Sequence, residues 1–436
     1  AGAYPRMSRS TRDSYRKHIE RISKHCDFTE IEVTKQLIKL SQEMDSSLPQ
    51  DGRKKHVGFY LLDDGVFELE KSLGYRSPLF EKMVRFVDAD PAFAYFGLLF
   101  LLLTLFLSII LTLFKVPGNN LLLTLALIAL TIIPLSDFSL GILNYFITLV
   151  RLPKRLPRMD TEKGIREQDA SMVVVPCLLS NPHIIHELVN NLEVQFLGNQ
   201  DEHIYYAILG DLNDADTEVT LDDKDYLALA HQLINNLNRR YQGSGHPRFY
   251  LFNRARLYNP CEKKWICWER KRGKIMEFNN LLRGSTTTTF LNQNIDYDFL
   301  KTIEYVITLD ADTQLPLQNA RRLIGTITHP LNLPVYGPEK NRIIAGYGIL
   351  QPRISVSIVS AAKTRFSKIF AGNTGIDPYT TAVSDVYQDI FKEGSFTGKG
   401  LYVVDAFEKV IGDRVPENCV LSHDLLEGSY ARVGLT

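Results

Sequence analysis

Residues Ala92 to Phe114 read AFAYFGLLFLLLTLFLSIILTLF, a run without a single charge. At ~1.5 Å per helical residue it is long enough to cross a hydrocarbon core of ~30 Å, and soluble core helices seldom sustain such a stretch. A short turn, Lys115 to Asn120 with Pro117 and Gly118 inside it, leads to a second apolar run from Leu121 to Val150. Pro134 and Asp137 interrupt this second run. It therefore predicts either one tilted, kinked spanning helix or a short crossing that ends near Leu135 and continues along the interface. Lys82 and Arg85 precede the pair, Arg151, Lys154, Arg155 and Arg158 follow it, and Lys115 alone marks the turn. Because Lys and Arg are retained on the cytoplasmic side, both flanking parts are expected to face the cytoplasm. Residues 1 to 30 are charged throughout and resemble no cleavable signal peptide, so the pair reads as an anchor in the lipid bilayer. The expected divisions are 1–91, 92–150 and 151–436.

The rest of the composition is that of a folded protein. Among 436 residues, 45% are hydrophobic and 23% charged, which excludes a disordered or fibrous chain. With 50 basic and 50 acidic side chains the formal charge is zero, so a polybasic nucleic-acid binder is disfavoured. Five cysteines, at 26, 177, 261, 267 and 419, include no C-x-x-C pair, so neither a secreted disulfide framework nor a zinc ribbon fits. The mean hydropathy of −0.10 looks soluble only because it averages the apolar pair with polar flanks. In residues 1–91, the stretches Ser8 to His25 and Thr29 to Met44 predict short helices leading to the membrane. His18, His25 and Cys26 match no standard ligand spacing.

Beyond the anchor, β-type apolar runs alternate with helical stretches, the pattern of an α/β domain with a mainly parallel sheet. Ser171–Val175, His203–Leu209, Arg248–Phe252 and Glu304–Leu309 read as strands, and Pro182–Leu197, Asp225–Tyr241 and Gly273–Leu282 as helices. Acidic clusters follow two of the strands, and carboxyl strand ends are where open α/β sheets bind ligands. One is Asp211, after YYAILG. The other is Asp310-Ala311-Asp312, after EYVITL. Two carboxylates one residue apart at a strand exit can serve a nucleotide sugar and a divalent ion, Mg²⁺ or Mn²⁺, that neutralises a departing diphosphate. A lone D-x-D also caps helices and closes turns. Cations before a helix start, in Trp268-Glu269-Arg270-Lys271-Arg272-Gly273-Lys274, suit a diphosphate. Lys274 and Arg272 are the candidates, with Arg270 behind them; an exposed charged turn is the alternative. Trp265 and Trp268 could stack on a ligand or anchor the loop. Near the end, His423-Asp424 suits a general base for an acceptor hydroxyl, or a helix cap. Gly398 and Gly400 around Lys399 allow close backbone approach to a ligand.

In this order the motifs resemble a membrane-bound, processive inverting glycosyltransferase of the cellulose-synthase type. More narrowly, WERKRGKIMEFN, VITLDADTQLP, GYGILQPRI, FTGKGLY and LSHDLLEG resemble the glycosyltransferase region of cyclic β-1,2-glucan synthases. The resemblance implies a nucleotide-sugar-binding, glycosyltransferase-A-like fold in a bacterial-type cytoplasmic (inner) membrane, multi-pass in the whole protein, with the catalytic domain facing the cytoplasm. It implies transfer of glucose from UDP-glucose to a growing β-glucan with inversion. In these terms Asp211 contacts the uridine, Asp310 the donor and Asp312 the metal. Asp424 is the base, with His423 where the related T-E-D motif has Glu, and Gly398, Lys399 and His423 lie on the acceptor side. Related enzymes continue well past the base, so the domain is expected to extend beyond Thr436. A different β-polysaccharide synthase and a non-catalytic nucleotide-sugar-binding membrane protein are the alternatives. A two-metal phosphohydrolase lacks its second ligand cluster.

Overall fold

The computed structural model describes residues 2–43, 52–114, 120–151, 153–243, 245–291, 296–339, 341–354, 362–370, 386–412, 414–416, 419–420 and 423–436. The expected turn residues Lys115, Pro117 and Gly118 lie outside them.

The two apolar runs form helices Pro91–Leu113 and Leu121–Val150, both long and apolar enough to cross a membrane, with outward-facing surfaces. Asp90 and Asn120 cap them, accepting from the backbone N–H of Phe93 and Leu123. The second is one continuous helix that contains Pro134. The pair is tied by Tyr95 Oη donating to Asn144 Oδ1 at 2.9 Å and by an edge-on contact of Phe106 with Phe138. At its base Arg151 grips Asp88 with two nitrogens, and Tyr95 and Leu143 pack on Val386 and Ile390 of the following domain.

That domain is built on a seven-stranded sheet of order β11-β9-β10-β6-β1-β2-β3. Its central strands, β1 (Ser171–Leu178), β2 (Ile204–Asp211), β3 (Phe249–Asn253) and β6 (Tyr305–Thr308), are parallel, as their near-continuous apolar sequences predict for a sheet covered on both faces. Alternate residues of β1 feed two cores. Val173 and Val175 face helices Pro182–Gly198, Asp223–Arg240 and Asn319–Ile327, while Met172 and Val174 face Arg270–Leu282 and Val404–Ile411. A ribbon of β4 (Leu257–Asn259) and β5 (Lys264–Ile266) and a second of β7 (Val335–Tyr336) and β8 (Ile343–Ala345) stand outside this sheet. β9 (Ile349–Gln351), β10 (Gly400–Val403) and β11 (Val433–Leu435) extend it, and β10 runs antiparallel to both β6 and β9. The α/β reading holds, with an antiparallel strand beside the parallel core.

The N-terminal helices do more than lead to the membrane. Met7, Tyr15, Ile22 and Leu37 form an apolar cluster that includes Leu331 of the α/β domain.

Candidate active site

The antiparallel register of β10 against β6 creates the site. Pairing Gly400 with Thr308 carries Gly398 and Lys399, just before β10, alongside Asp310, just past β6. Lys399 Nζ lies 2.7 Å from Asp310 Oδ2, and Lys271 Nζ, from the helix Arg270–Leu282, lies 2.6 Å from Oδ1. Burial alone pushes the Asp310 carboxyl up, but the two ammonium groups outweigh it and hold it below the ordinary carboxylate range. Lys271 also donates to the Gly398 carbonyl at 3.0 Å, as does Thr308 Oγ1 at 3.3 Å.

Gly398 has a φ of 73°, in the left-handed region, and a Cβ there would lie 2.8 Å from both oxygens of Asp424 and 2.9 Å from Lys271 Nζ. Its missing side chain is what lets the chain pass between base candidate and cation. Asp424 opens the helix Asp424–Ala431, and His423 precedes it. Lys271, Thr308, Gly398, His423, Asp424 and Glu427 line one narrow cleft. His423 Nδ1 is 2.8 Å from Glu427 Oε1 and 3.4 Å from Asp424 Oδ1.

The structure thus brings together Asp310, Gly398, Lys399, His423 and Asp424. Lys399, expected on the acceptor side, pairs with Asp310, the expected donor contact. Asp312 is exposed at the β6 exit, with Thr313 Oγ1 at 3.5 Å. A single accessible carboxylate fits a Mg²⁺ or Mn²⁺ ion, which takes one or two carboxylates together with phosphate oxygens and water.

Asp211, Lys274 and Arg272 are not brought to the cleft. Asp211 is 1% exposed, and both its oxygens are engaged by the guanidinium of Arg254, at 2.8 and 3.0 Å, with Lys274 Nζ 2.9 Å from Oδ2. Lys274 donates also to the Cys177 carbonyl. Arg272 is buried against Glu269 and the Val415 carbonyl. Helix phase turns Arg272 about 100° away from Lys271, which shares a face with Ile275 in the cleft. Lys274, one turn on from Lys271, is drawn away from the cleft by Asp211 and the Cys177 carbonyl beneath the helix. Trp268 is an anchor, its Nε1 donating to Glu277 at 3.0 Å, and Trp265 pairs edge-on with Tyr258.

Three residues that build the candidate site do not stand out in the sequence. Arg254 is 0% exposed and ties Asp211 to the carbonyls of Trp268 and Arg270, each at 3.1 Å. It holds the helix entry, where Glu269 and Arg270 have positive φ, and so sets the height of Lys271. Nothing in its sequence context announces this. Lys271 was legible as one of four cations but not as the one in the cleft. Glu427 stands inside the phrase LSHDLLEG, one helical turn from His423, and that spacing was its signal.

No family model matches the chain. Over 99% of its length it is 41% identical to the curated Cyclic beta-(1,2)-glucan synthase NdvB of Rhizobium meliloti (strain 1021). The chain spans 15% of the length of that relative. Across essentially all of its own residues, then, the chain is a homologue of one region of a cyclic beta-(1,2)-glucan synthase.

Proposed function

We propose that this chain is the membrane-anchored glycosyltransferase region of a cyclic β-1,2-glucan synthase, transferring glucose from UDP-glucose to the 2-hydroxyl of a glucan with inversion. The observation that best supports this is the meeting of Asp310, two lysines and Asp424 around a single glycine in the cleft beyond β6. Lys271 and Lys399 are the cations available to a donor diphosphate, and Asp310, neutralised by them now, exchanges that pairing for donor contacts when the nucleotide sugar binds. Asp312 would hold a divalent ion, which when bound would supply charge neutralisation for the departing diphosphate. Asp424 accepts the proton of the acceptor hydroxyl. As that oxygen bonds to C1 of glucose, the bond from C1 to the phosphate oxygen breaks on the opposite face, and UDP leaves with the electron pair. One displacement inverts the α-linkage to β, with no protein nucleophile. Asp211, in its buried pairing, supports the donor side through Arg254 and Lys274 rather than by touching the uridine. The hairpin crosses the cytoplasmic membrane of a bacterial-type cell, with both soluble parts on the cytoplasmic side.

The test is polymer synthesis by membranes carrying the full-length protein, given UDP-glucose and Mg²⁺, with Asp312→Ala and Asp424→Asn alongside the wild type. Each substitution is expected to abolish synthesis, and chelation of the metal should mimic the first. Polymer made at the wild-type rate by either variant removes the role given to that residue, and methylation analysis of the product decides the linkage.

A further inference from the structure

Asp424 does not stand alone in the cleft, and the role of its neighbours rests on its being the base. Its Oδ1 is sealed from solvent and makes no hydrogen bond, with His423 Nδ1 3.4 Å away. The same nitrogen lies 2.8 Å from Oε1 of Glu427, which is 5% exposed. A carboxylate so enclosed is retained at high cost unless a partner compensates it, and the imidazole is that partner. Burial pulls the His423 ring toward neutrality, but Glu427, and behind it Asp424, raise its proton affinity above the ordinary histidine value. Burial likewise pushes Glu427 up, against the pull of His423. Among the described residues, the other charged or titratable groups facing this cluster are Lys271 across the cleft, Arg272 behind Glu427, and the Tyr402 hydroxyl. Lys271 and Arg272 are cations but form no ion pair with either carboxylate, so among the described residues the imidazolium, at 2.8 Å from Glu427 and 3.4 Å from Asp424, is their nearest counter-charge.

We propose that His423 and Glu427 are positioning residues for Asp424: Glu427 holds the imidazolium by its Nδ1 edge, and the imidazolium fixes the inner oxygen Oδ1, leaving Oδ2 to take the acceptor proton. The arrangement gives the motif histidine a task distinct from helix capping, since its side chain makes no capping bond to the helix backbone. It also explains why an acid stands one turn downstream of the base.

The experiment measures UDP release against pH for the full-length protein in membranes, comparing wild type, His423→Gln, Glu427→Gln and Asp424→Asn, with UDP affinity as the check that each variant is folded. With the imidazolium required, the wild-type profile has an alkaline limb. Glu427→Gln should move that limb down by about half a pH unit or more, and His423→Gln should abolish it and lower kcat about tenfold or more, while KM for UDP-glucose stays within about threefold. A merely structural pair would leave the limb where it is. An unchanged limb and kcat in folded His423→Gln overturns the proposal, whatever Glu427→Gln does. Should Glu427→Gln fail to bind UDP, the His423→Gln profile decides alone. If Asp424→Asn keeps synthesising, the base assignment itself falls; if it is inactive while the limb stays put in the other variants, only the positioning role does.

Discussion

Gly398 shows how much one missing side chain decides. Its φ of 73° disfavours any L-residue, and the atoms a Cβ would meet, at 2.8 and 2.9 Å, are the carboxylate of Asp424 and the ammonium of Lys271. Gly398→Ala should therefore cost about 1–2 kcal/mol from the backbone alone, with further loss from displaced polar groups. Glucan synthesis should fall by more than that stability loss explains. Denaturant unfolding and activity measured on the same preparation separate the two; a variant with wild-type activity would mean that the chain can pass the cleft another way. A comparable decision falls on the run Arg270 to Lys274. Its composition announces a cationic segment, but which cation reaches a ligand depends on an angular offset of about 100° per residue. Only packing fixes that offset, here by burying Arg272 and Lys274 and leaving Lys271 in the cleft.

At the level of elements, the helix Arg270–Leu282 is placed by what lies beneath it. Arg254 links the exit of β2, through Asp211, to the backbone of Trp268 and Arg270. Arg254→Met removes one of the two cations that hold buried Asp211 and leaves Lys274 as its counter-charge, so it should destabilise by about 1.5–3 kcal/mol, and Arg254→Met with Asp211→Leu, which leaves Lys274 unpaired, should still cost less than the sum of the two single changes. Urea unfolding of the four members of the cycle gives the answer, and additive losses would mean the pair is not coupled. The sequence predicted β1, β2, β3 and β6 closely, because parallel buried strands carry continuous apolar runs. It did not predict β9, β10 and β11. These have three or four residues each, and they pair across intervals of tens of residues, which no local pattern reports.

For the whole molecule, the N-terminal helices and the α/β domain meet around two buried histidines. His56 and His329 have ring centroids 5.3 Å apart, and Tyr15 Oη is 3.4 Å from His329 Nε2. On each ring Nδ1 accepts a backbone N–H, from Gly58 and Leu331, so a proton there would face a donor. Burial lowers His56 to about 4 and His329 to about 3. Because both values lie below the ~6.5 of an unfolded histidine, the unfolded chain takes up more protons as pH falls. The contribution of the pair is fully present above the unfolded value, from about pH 7.5, and is lost at about 1.4 kcal/mol per pH unit for each histidine, so stability should drop by on the order of 5 kcal/mol toward pH 4.5. Limited proteolysis of the N-terminal helices at the two pH values reads this directly, and equal protection at both would count against a neutral histidine pair. Orientation is also open to measurement. On the proposed topology a membrane-impermeant thiol reagent added to intact cells should label a cysteine introduced at Asn120, but reach the exposed Cys261 only after permeabilisation. Labelling of Cys261 in intact cells would reverse the proposed orientation.

The sequence by itself determined the apolar hairpin, the central strands with their covering helices, and the positions of Asp310, Gly398 and Asp424, because these are written in charge-free length, local periodicity and short motifs. Only the tertiary structure decided that Asp211 is enclosed by Arg254 and Lys274, that Lys271 and Lys399 share Asp310, and that Glu427 stands behind His423. Those outcomes depend on strand register and helix phase, which are set by contacts between residues far apart in the chain.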